Sequence, residues 1–283
     1  MVRSMRSHSN GRLEGKTAWV TGSSRGIGRV VAGHLAGLGA RVAIHGTTPT
    51  STRAFGEADS LQAVAAEMAE GVPGEVFAVH GDLTDEPTVK ELCRQIRARF
   101  GQIDILVNNA GGDIGSQGTM GANAGKPAAN DAIGVSLADI RTVLDRNVMT
   151  CLLPCREVAP ELVRRNQGWI VNIGSISGLH GHPGEVIYGM AKAAVHEYTR
   201  CLAAQLRPHN VHVNAIAPGE IVTPRFLASR VPDDSRKVEE GSLTRYGWPI
   251  EVARTVEFLV TGDSSYISGQ VLRVDGGAQL WPA

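Results

Sequence analysis

Tyr188 and Lys192 stand one helical turn apart in the run Tyr188-Gly-Met-Ala-Lys192. On a helix, that spacing puts the phenol and the ammonium on one face. A free phenol titrates near pH ~10 and exchanges protons poorly at neutrality. A cation held beside it favours the phenolate and is expected to draw that value down. A hydroxyl from Ser175, on a preceding loop, would hydrogen-bond the oxygen that the tyrosine protonates. Such a trio moves a proton on or off a carbonyl oxygen. Alone, the Tyr/Lys pair is equally the pattern of a solvated helix face, so its weight depends on the rest of the chain.

A second group lies near the N-terminus. Thr21-Gly22-Ser23-Ser24-Arg25-Gly26-Ile27-Gly28 follows an apolar run, Thr17–Val20, that reads as a strand. It opens a helical pattern in which Ile27, Val30, Val31, Leu35 and Leu38 recur every three to four residues. Glycines there let the backbone approach a pyrophosphate, and the helix start offers it unpaired amides and a positive dipole end. The spacing is G-x-x-x-G-x-G, not the commoner G-x-G-x-x-G.

These groups need a scaffold, and the chain alternates short apolar runs with longer helical patterns. Strands are expected at 17–20, 42–44, 76–79, 103–107, 170–173, 211–216 and 271–274. Helices are expected between them, including a long one over 137–165 that Pro154 and Pro160 should kink or divide. This predicts a single-domain α/β fold: a doubly wound, seven-stranded parallel sheet with helices on both faces, after an N-terminal tail of residues 1–14. Ligands of such sheets bind beyond the carboxyl ends of the strands. Gly22, Gly46, Asp82, Asn109, Ser175 and Pro218 follow strands and so share one rim. Residues 112–134 and 219–248 break the pattern and leave strand ends on that rim; they are expected to form the substrate pocket, the second as a lid.

Composition narrows the classes of function. Of 283 residues 42% are apolar, and Lys plus Arg equals Asp plus Glu at 28 each, which argues against a nucleic-acid or membrane-surface partner. No run of ~20 apolar residues spans a bilayer, and the polar N-terminus is not a secretory signal. Cys93, Cys151, Cys155 and Cys201 have no companions at zinc spacing and are read as reduced thiols of a cytoplasmic protein. His180 and His182 lack a third ligand at a recognisable spacing, so no metal is expected. With Glu185 and Ile187 they are expected to face the pocket.

Taken in order, Thr21 to Gly28, Asn108-Asn109-Ala110-Gly111, Asn147, Ser175, Tyr188-x-x-x-Lys192, Pro218-Gly219 and Val274-Asp275-Gly276-Gly277 resemble the short-chain dehydrogenase/reductase family over nearly the whole chain. The overall sequence is similar to 3-oxoacyl-carrier-protein reductases within it. The resemblance implies that Gly22, Ser24, Arg25 and Ile27, in the turn with Gly26 and Gly28, line the adenosine and pyrophosphate site. It implies that Asp82 and Leu83 contact the adenine, and that Asn109, Ala110 and Gly111 lie along the cofactor. Pro218, Gly219, Ile221 and Thr223 would hold the nicotinamide end. Tyr188 would be the general acid and base, Lys192 its partner and a ligand of the nicotinamide ribose, and Ser175 the group that orients the carbonyl, with Ser177 its rival. Asn147 would anchor a water in the proton path. The family implies a homotetramer, with a homodimer as the alternative.

Charge separates the two nicotinamide cofactors. A carboxylate at the end of the second strand binds the ribose diol of NAD and repels the extra phosphate of NADP. Here that strand ends at Gly46-Thr47-Thr48, and no Asp or Glu occurs between Gly28 and Glu57. Arg25, Thr47 and Thr48 offer donors to a 2′-phosphate, so NADP(H) is expected in preference to NAD(H), with dual use the alternative. The expected reaction interconverts a ketone and a secondary alcohol, on a 3-oxoacyl thioester or a similar ketone. A sugar or polyol dehydrogenase is the alternative within the class, and a non-catalytic nucleotide sensor or scaffold the alternative outside it.

Overall fold

Short apolar runs make the strands, buried at the centre of the sheet and half-buried at its two edges. A computed structural model describes residues 11–280, within which the elements run β1 (Thr17–Val20), α1 (Gly26–Gly37), β2 (Arg41–Gly46), α2 (Leu61–Ala69), β3 (Val76–His80), α3 (Glu86–Phe100) and β4 (Ile105–Asn108). A single turn, α4 (Ala122–Gly125), precedes α5 (Leu137–Leu144), α6 (Thr150–Arg165), β5 (Gly168–Ile173), α7 (Val186–Leu206), β6 (Val211–Pro218), α8 (Pro224–Ala228), α9 (Pro249–Leu259) and β7 (Val271–Val274).

The seven strands form one sheet in the order β3-β2-β1-β4-β5-β6-β7, every neighbouring pair parallel. Successive side chains of a strand point to opposite faces. Ala18 and Val20 therefore pack with α1, α2 and α9 on one face, while Trp19 packs with α3, α6 and α7 on the other. The strand order reverses between β1 and β4, which opens the crevice at their carboxyl ends where a doubly wound sheet takes its ligand.

Two expectations are corrected. Residues 1–10 of the expected tail lie outside the described residues, but the tail does not extend to residue 14. Leu13 is buried and donates its N–H to the Leu38 carbonyl at 3.0 Å. Arg12 Nη1 pairs with Glu257 at 2.7 Å, which binds this segment to α9. Second, the prolines do not divide the long helix. Pro154 and Pro160 sit inside α6, and the helix is interrupted instead by a π turn over Asp145–Met149. Asn147 causes the interruption: its Nδ2 donates to the Val143 carbonyl at 2.8 Å, putting a side-chain amide where a backbone N–H would stand.

The two irregular segments are ordered. Residues 219–248 carry α8 and a small apolar cluster of Val222, Phe226 and Tyr246 with Trp248 against it. Residues 112–134 turn back on themselves through Gly115 N to Gly125 O at 2.9 Å.

Candidate active site

Backbone geometry builds the first half of the site. The turn after β1 is closed against the end of β4: Thr21 Oγ1 accepts the N–H groups of Asn109 at 3.0 Å and Ala110 at 3.1 Å. Asn109 Nδ2 returns a bond to the Gly22 carbonyl at 3.0 Å. Gly22 has φ +60°, and a Cβ there would lie 2.7 Å from the Ala110 Cα. At Gly28 a Cβ would lie 2.4 Å from Asn109 Nδ2 and 2.5 Å from the Gly22 carbonyl oxygen. Both glycines are thus needed for the turn to close.

His45 holds the turn from β2. Its Nδ1 accepts the Gly22 N–H at 3.1 Å and its Nε2 donates to the Gly81 carbonyl at 3.0 Å, which fixes one neutral tautomer. Burial pushes its pKa down to about 4, so the ring stays neutral at neutral pH. The amides at the start of α1 face the cavity next to Arg25. That guanidinium lies 5.1 Å from the Phe55 ring and donates to the Ser51 carbonyl at 2.7 Å. A pyrophosphate fits this cradle: close backbone approach, a helix N-terminus and a cation are all present.

The second half belongs to β5 and α7. Ser175 follows β5, and its hydroxyl accepts the Ser177 N–H at 3.1 Å on the same cavity wall as the Tyr188 phenol. Ser177 also lines the cavity, and its hydroxyl donates to Glu185 Oε2 at 3.3 Å. Lys192 is buried, and its Nζ donates to the Ile173 carbonyl at 2.8 Å, lying 5.7 Å from the centre of the Tyr188 ring. This geometry corrects the expected electrostatics. Burial pushes the Tyr188 phenol up to about 12; Ser175 opposes the shift, and Glu185 and Asp113 add to it. Burial also pulls the Lys192 ammonium down to about 8. Desolvation outweighs the attraction of the cation, because the ammonium is directed at a carbonyl and not at the phenol oxygen.

Asn147 lies behind this centre. Its Oδ1 accepts the Gly112 N–H at 2.9 Å and its Nδ2 donates to the Gly112 carbonyl at 3.0 Å. The residue is buried and locks the segment that follows Gly111.

Side chains of the two irregular segments close the far end. Lys126 Nζ pairs with Glu185 Oε1 at 2.6 Å and lies 3.9 Å from Asp113 Oδ2. Asn130 Nδ2 donates to Asp113 Oδ2 at 2.8 Å, and Arg225 Nη2 donates to the Asp113 carbonyl at 2.5 Å. Burial holds the Asp113 carboxyl above its usual range, and Lys126 holds Glu185 below it against the desolvation that opposes it.

One cavity of about 770 Å³ joins the two halves, a size suited to an extended ligand. Gly22, Ser24, Arg25, Gly26, Ile27, Gly46, Thr47, Asp82, Leu83, Asn109, Ala110 and Gly111 line the end beside the glycine turn. Ser175, Tyr188, Lys192, Pro218, Gly219, Ile221 and Thr223 continue the wall, with His180, His182 and Glu185 beside them. Four expected residues stand off the wall: Gly28 is a packing position, Thr48 accepts a bond from the Ser51 hydroxyl at 3.1 Å through its carbonyl, Asn147 supports Gly112, and Ile187 is buried in the first turn of α7. Sequence reasoning missed Glu57, Asp113, Lys126, Arg146 and Arg225 on the wall. None has a helical or strand spacing that marks it; Arg225 alone has a local signal, Thr223-Pro224 starting a short helix.

Comparisons with known proteins agree with this geometry. A family model described as Enoyl-(Acyl carrier protein) reductase matches residues 22–279. A 3-oxoacyl-[acyl-carrier-protein] reductase of Thermotoga maritima is 33% identical, covering 94% of this chain and 98% of its own. A cyclohexanol dehydrogenase of a Rhodococcus species is 36% identical over 94% and 96% of the two chains. Among solved structures, 7α-hydroxysteroid dehydrogenase in complex with NADH and 7-oxo glycochenodeoxycholic acid superposes with a TM-score of 0.80 at 30% identity, covering 95% of this chain and 96% of the other.

Proposed function

We propose that this chain, which belongs to the short-chain dehydrogenase/reductase family, uses Tyr188 as its proton donor and acceptor and NADP(H) in preference to NAD(H). The family membership makes it an oxidoreductase that interconverts C=O and CH–OH groups with a nicotinamide cofactor. One observation carries the assignment of roles: Ser175, Tyr188 and Lys192 line the same cavity as the glycine turn after β1.

A bound nicotinamide supplies or takes the hydride. In reduction, the Tyr188 phenol gives its proton to the substrate's carbonyl oxygen; in oxidation, the phenolate takes it back. Ser175, on the same cavity wall as the phenol, orients that oxygen. Lys192 stabilises the phenolate left behind once its ammonium shares the charge, which opposes the burial that now holds the phenol protonated. Asn147 acts at one remove, fixing Gly112 and with it the floor of the site. The acid/base roles, and the expectation that residues 15–283 act as one cofactor-binding and catalytic domain, rest on this reading.

The cofactor preference is supported by Arg25 and Thr47 on the wall and by Gly46 where a discriminating acid would stand. Relatives named as 3-oxoacyl reductases support a 3-oxoacyl thioester as the substrate. A second reading, a sugar or polyol, is favoured by the ionic wall of Asp113, Lys126, Glu185 and Arg225, whose donors and acceptors suit hydroxyl groups. Initial rates on a panel of 3-oxoacyl thioesters, sugar ketones and cyclic ketones, each with NADPH and NADH, test all three points. The expected result is a kcat/KM for NADPH at least about tenfold above that for NADH, a difference of about 1.4 kcal/mol. A ratio favouring NADH overturns the preference, and no turnover with any carbonyl favours the sensor or scaffold.

Exposed Leu137 on α5 and Met190 on α7 support association through these helices into a homotetramer or homodimer, which light scattering measures. The unpaired thiols of Cys93, Cys151 and Cys155 support a reducing, cytoplasmic setting. Among the described residues no helix is long and apolar enough to cross a membrane.

A further inference from the structure

The connection from β2 to α2, residues 47–60, brings a carboxylate to the adenosine end of the cavity. Ser51–Phe55 forms a short 3-10 turn beneath Arg25, and Glu57 follows it onto the cavity wall, half-buried. Glu57 is held twice. Its Oε2 accepts the Gly26 N–H at 2.8 Å, and its carbonyl accepts Arg29 Nη1 at 2.8 Å. Gly26 opens α1, and its N–H is among the amides that a cofactor phosphate would seek. Arg25, the cation of the same site, lies within electrostatic reach of Glu57 but donates to the Ser51 carbonyl instead. A chain-borne anion therefore occupies part of the surface that the glycine turn offers to a phosphate-bearing ligand.

We infer that Glu57, held next to Arg25 through the Gly26 N–H, repels a 2′-phosphate at the adenosine end and thereby sets how strongly the site discriminates between NADP(H) and NAD(H). The inference rests on the cofactor reading above for the position of the adenosine end. Like charges on Glu57 and a 2′-phosphate repel, whereas a ribose diol carries no charge to oppose and can donate to a carboxylate. Glu57 thus works against the NADP(H) preference that Arg25, Thr47 and the lack of an acid at Gly46 favour, and limits its size. It does so from a connection whose end is tied to α1 through Gly26 and Arg29.

Glu57→Gln tests this, since the amide oxygen can still accept the Gly26 N–H and only the charge is lost. Isothermal titration of the full chain with 2′,5′-ADP and with 5′-AMP reads the effect without turnover. The expected result is about tenfold tighter binding of 2′,5′-ADP and no more than about twofold for 5′-AMP, with the gain shrinking as salt is raised. Equal changes for both nucleotides, no change, or weaker 2′,5′-ADP binding would overturn the inference and leave Glu57 a simple helix cap. The readout is the ratio between the variant and the parent. It stays interpretable if the parent itself prefers NADH, which would sink only the preference proposed earlier. Melting curves of both proteins should coincide within a few degrees; if they do not, Glu57→Asp, which keeps the charge and shortens the reach, should give a 2′,5′-ADP affinity between those of parent and Gln variant, and an affinity outside that interval overturns the inference.

Discussion

The nucleotide end and the substrate end of the cavity meet at Tyr188 and are built in opposite ways. At the nucleotide end the contacts run from side chain to backbone or between backbone segments: Thr21 and Asn109 close the turn, and His45 bridges Gly22 to Gly81. Those residues lie in a strand or within two residues of a strand end. At the substrate end the contacts are between side chains of irregular segments, as in Lys126 with Glu185 and Asn130 with Asp113. The glycine turn of the first end cannot be altered without disturbing the fold. The second can change residue by residue while the sheet stays intact, which is how one scaffold serves many carbonyl substrates.

Three substitutions probe that contrast. The largest effect is expected where the ends meet. Tyr188→Phe removes one hydroxyl and should lower kcat by about 10² to 10⁴, the range for a positioned acid/base group. NADPH affinity by titration should stay within about twofold. Near-parental turnover would remove Tyr188 from the chemistry. Next comes the nucleotide end: Gly28→Ala drives a methyl group into Asn109 and the Gly22 carbonyl. We expect a loss of roughly 1–3 kcal/mol in unfolding free energy, the usual cost of overpacking, together with weaker cofactor binding. A stable variant with unchanged cofactor affinity would mean that the turn is less rigidly built than the contrast requires. The smallest effect on the fold is expected at the substrate end. Lys126→Gln breaks a partly exposed pair with Glu185 and should change stability by no more than about 1 kcal/mol. It should raise KM for a polar ketone several-fold relative to an apolar one, with kcat little changed. Equal shifts for both ketones would take Lys126 out of substrate recognition.

How much could be read from the chain follows the same division. The central strands were legible because burial on both faces demands apolar runs, and Thr17–Val20 falls where the pattern puts it. The rim residues were legible because strand ends fix their place. The break in the long helix was misplaced: proline is a visible breaker, whereas the Asn147 amide reaching the Val143 carbonyl has no local signature. The sign of the Tyr188 shift was also misread, because helical spacing places an ammonium nearby without saying that it is directed at Ile173. Glu57, Lys126 and Arg225 were invisible because their partners lie far along the chain: Lys126 meets Glu185 across a separation of 59 residues. No periodicity records a meeting between two loops.

The π turn at Asp145–Met149 has a consequence for communication within the molecule. Asn147 is part of a helix whose neighbour α5 exposes Leu137, and the same side chain grips both polar atoms of the Gly112 backbone. A rotation of that helix, as when a second subunit docks on it, would pull directly on the peptide where the substrate segment begins. Assembly and the shape of the reaction chamber would then be mechanically geared to each other through one amide.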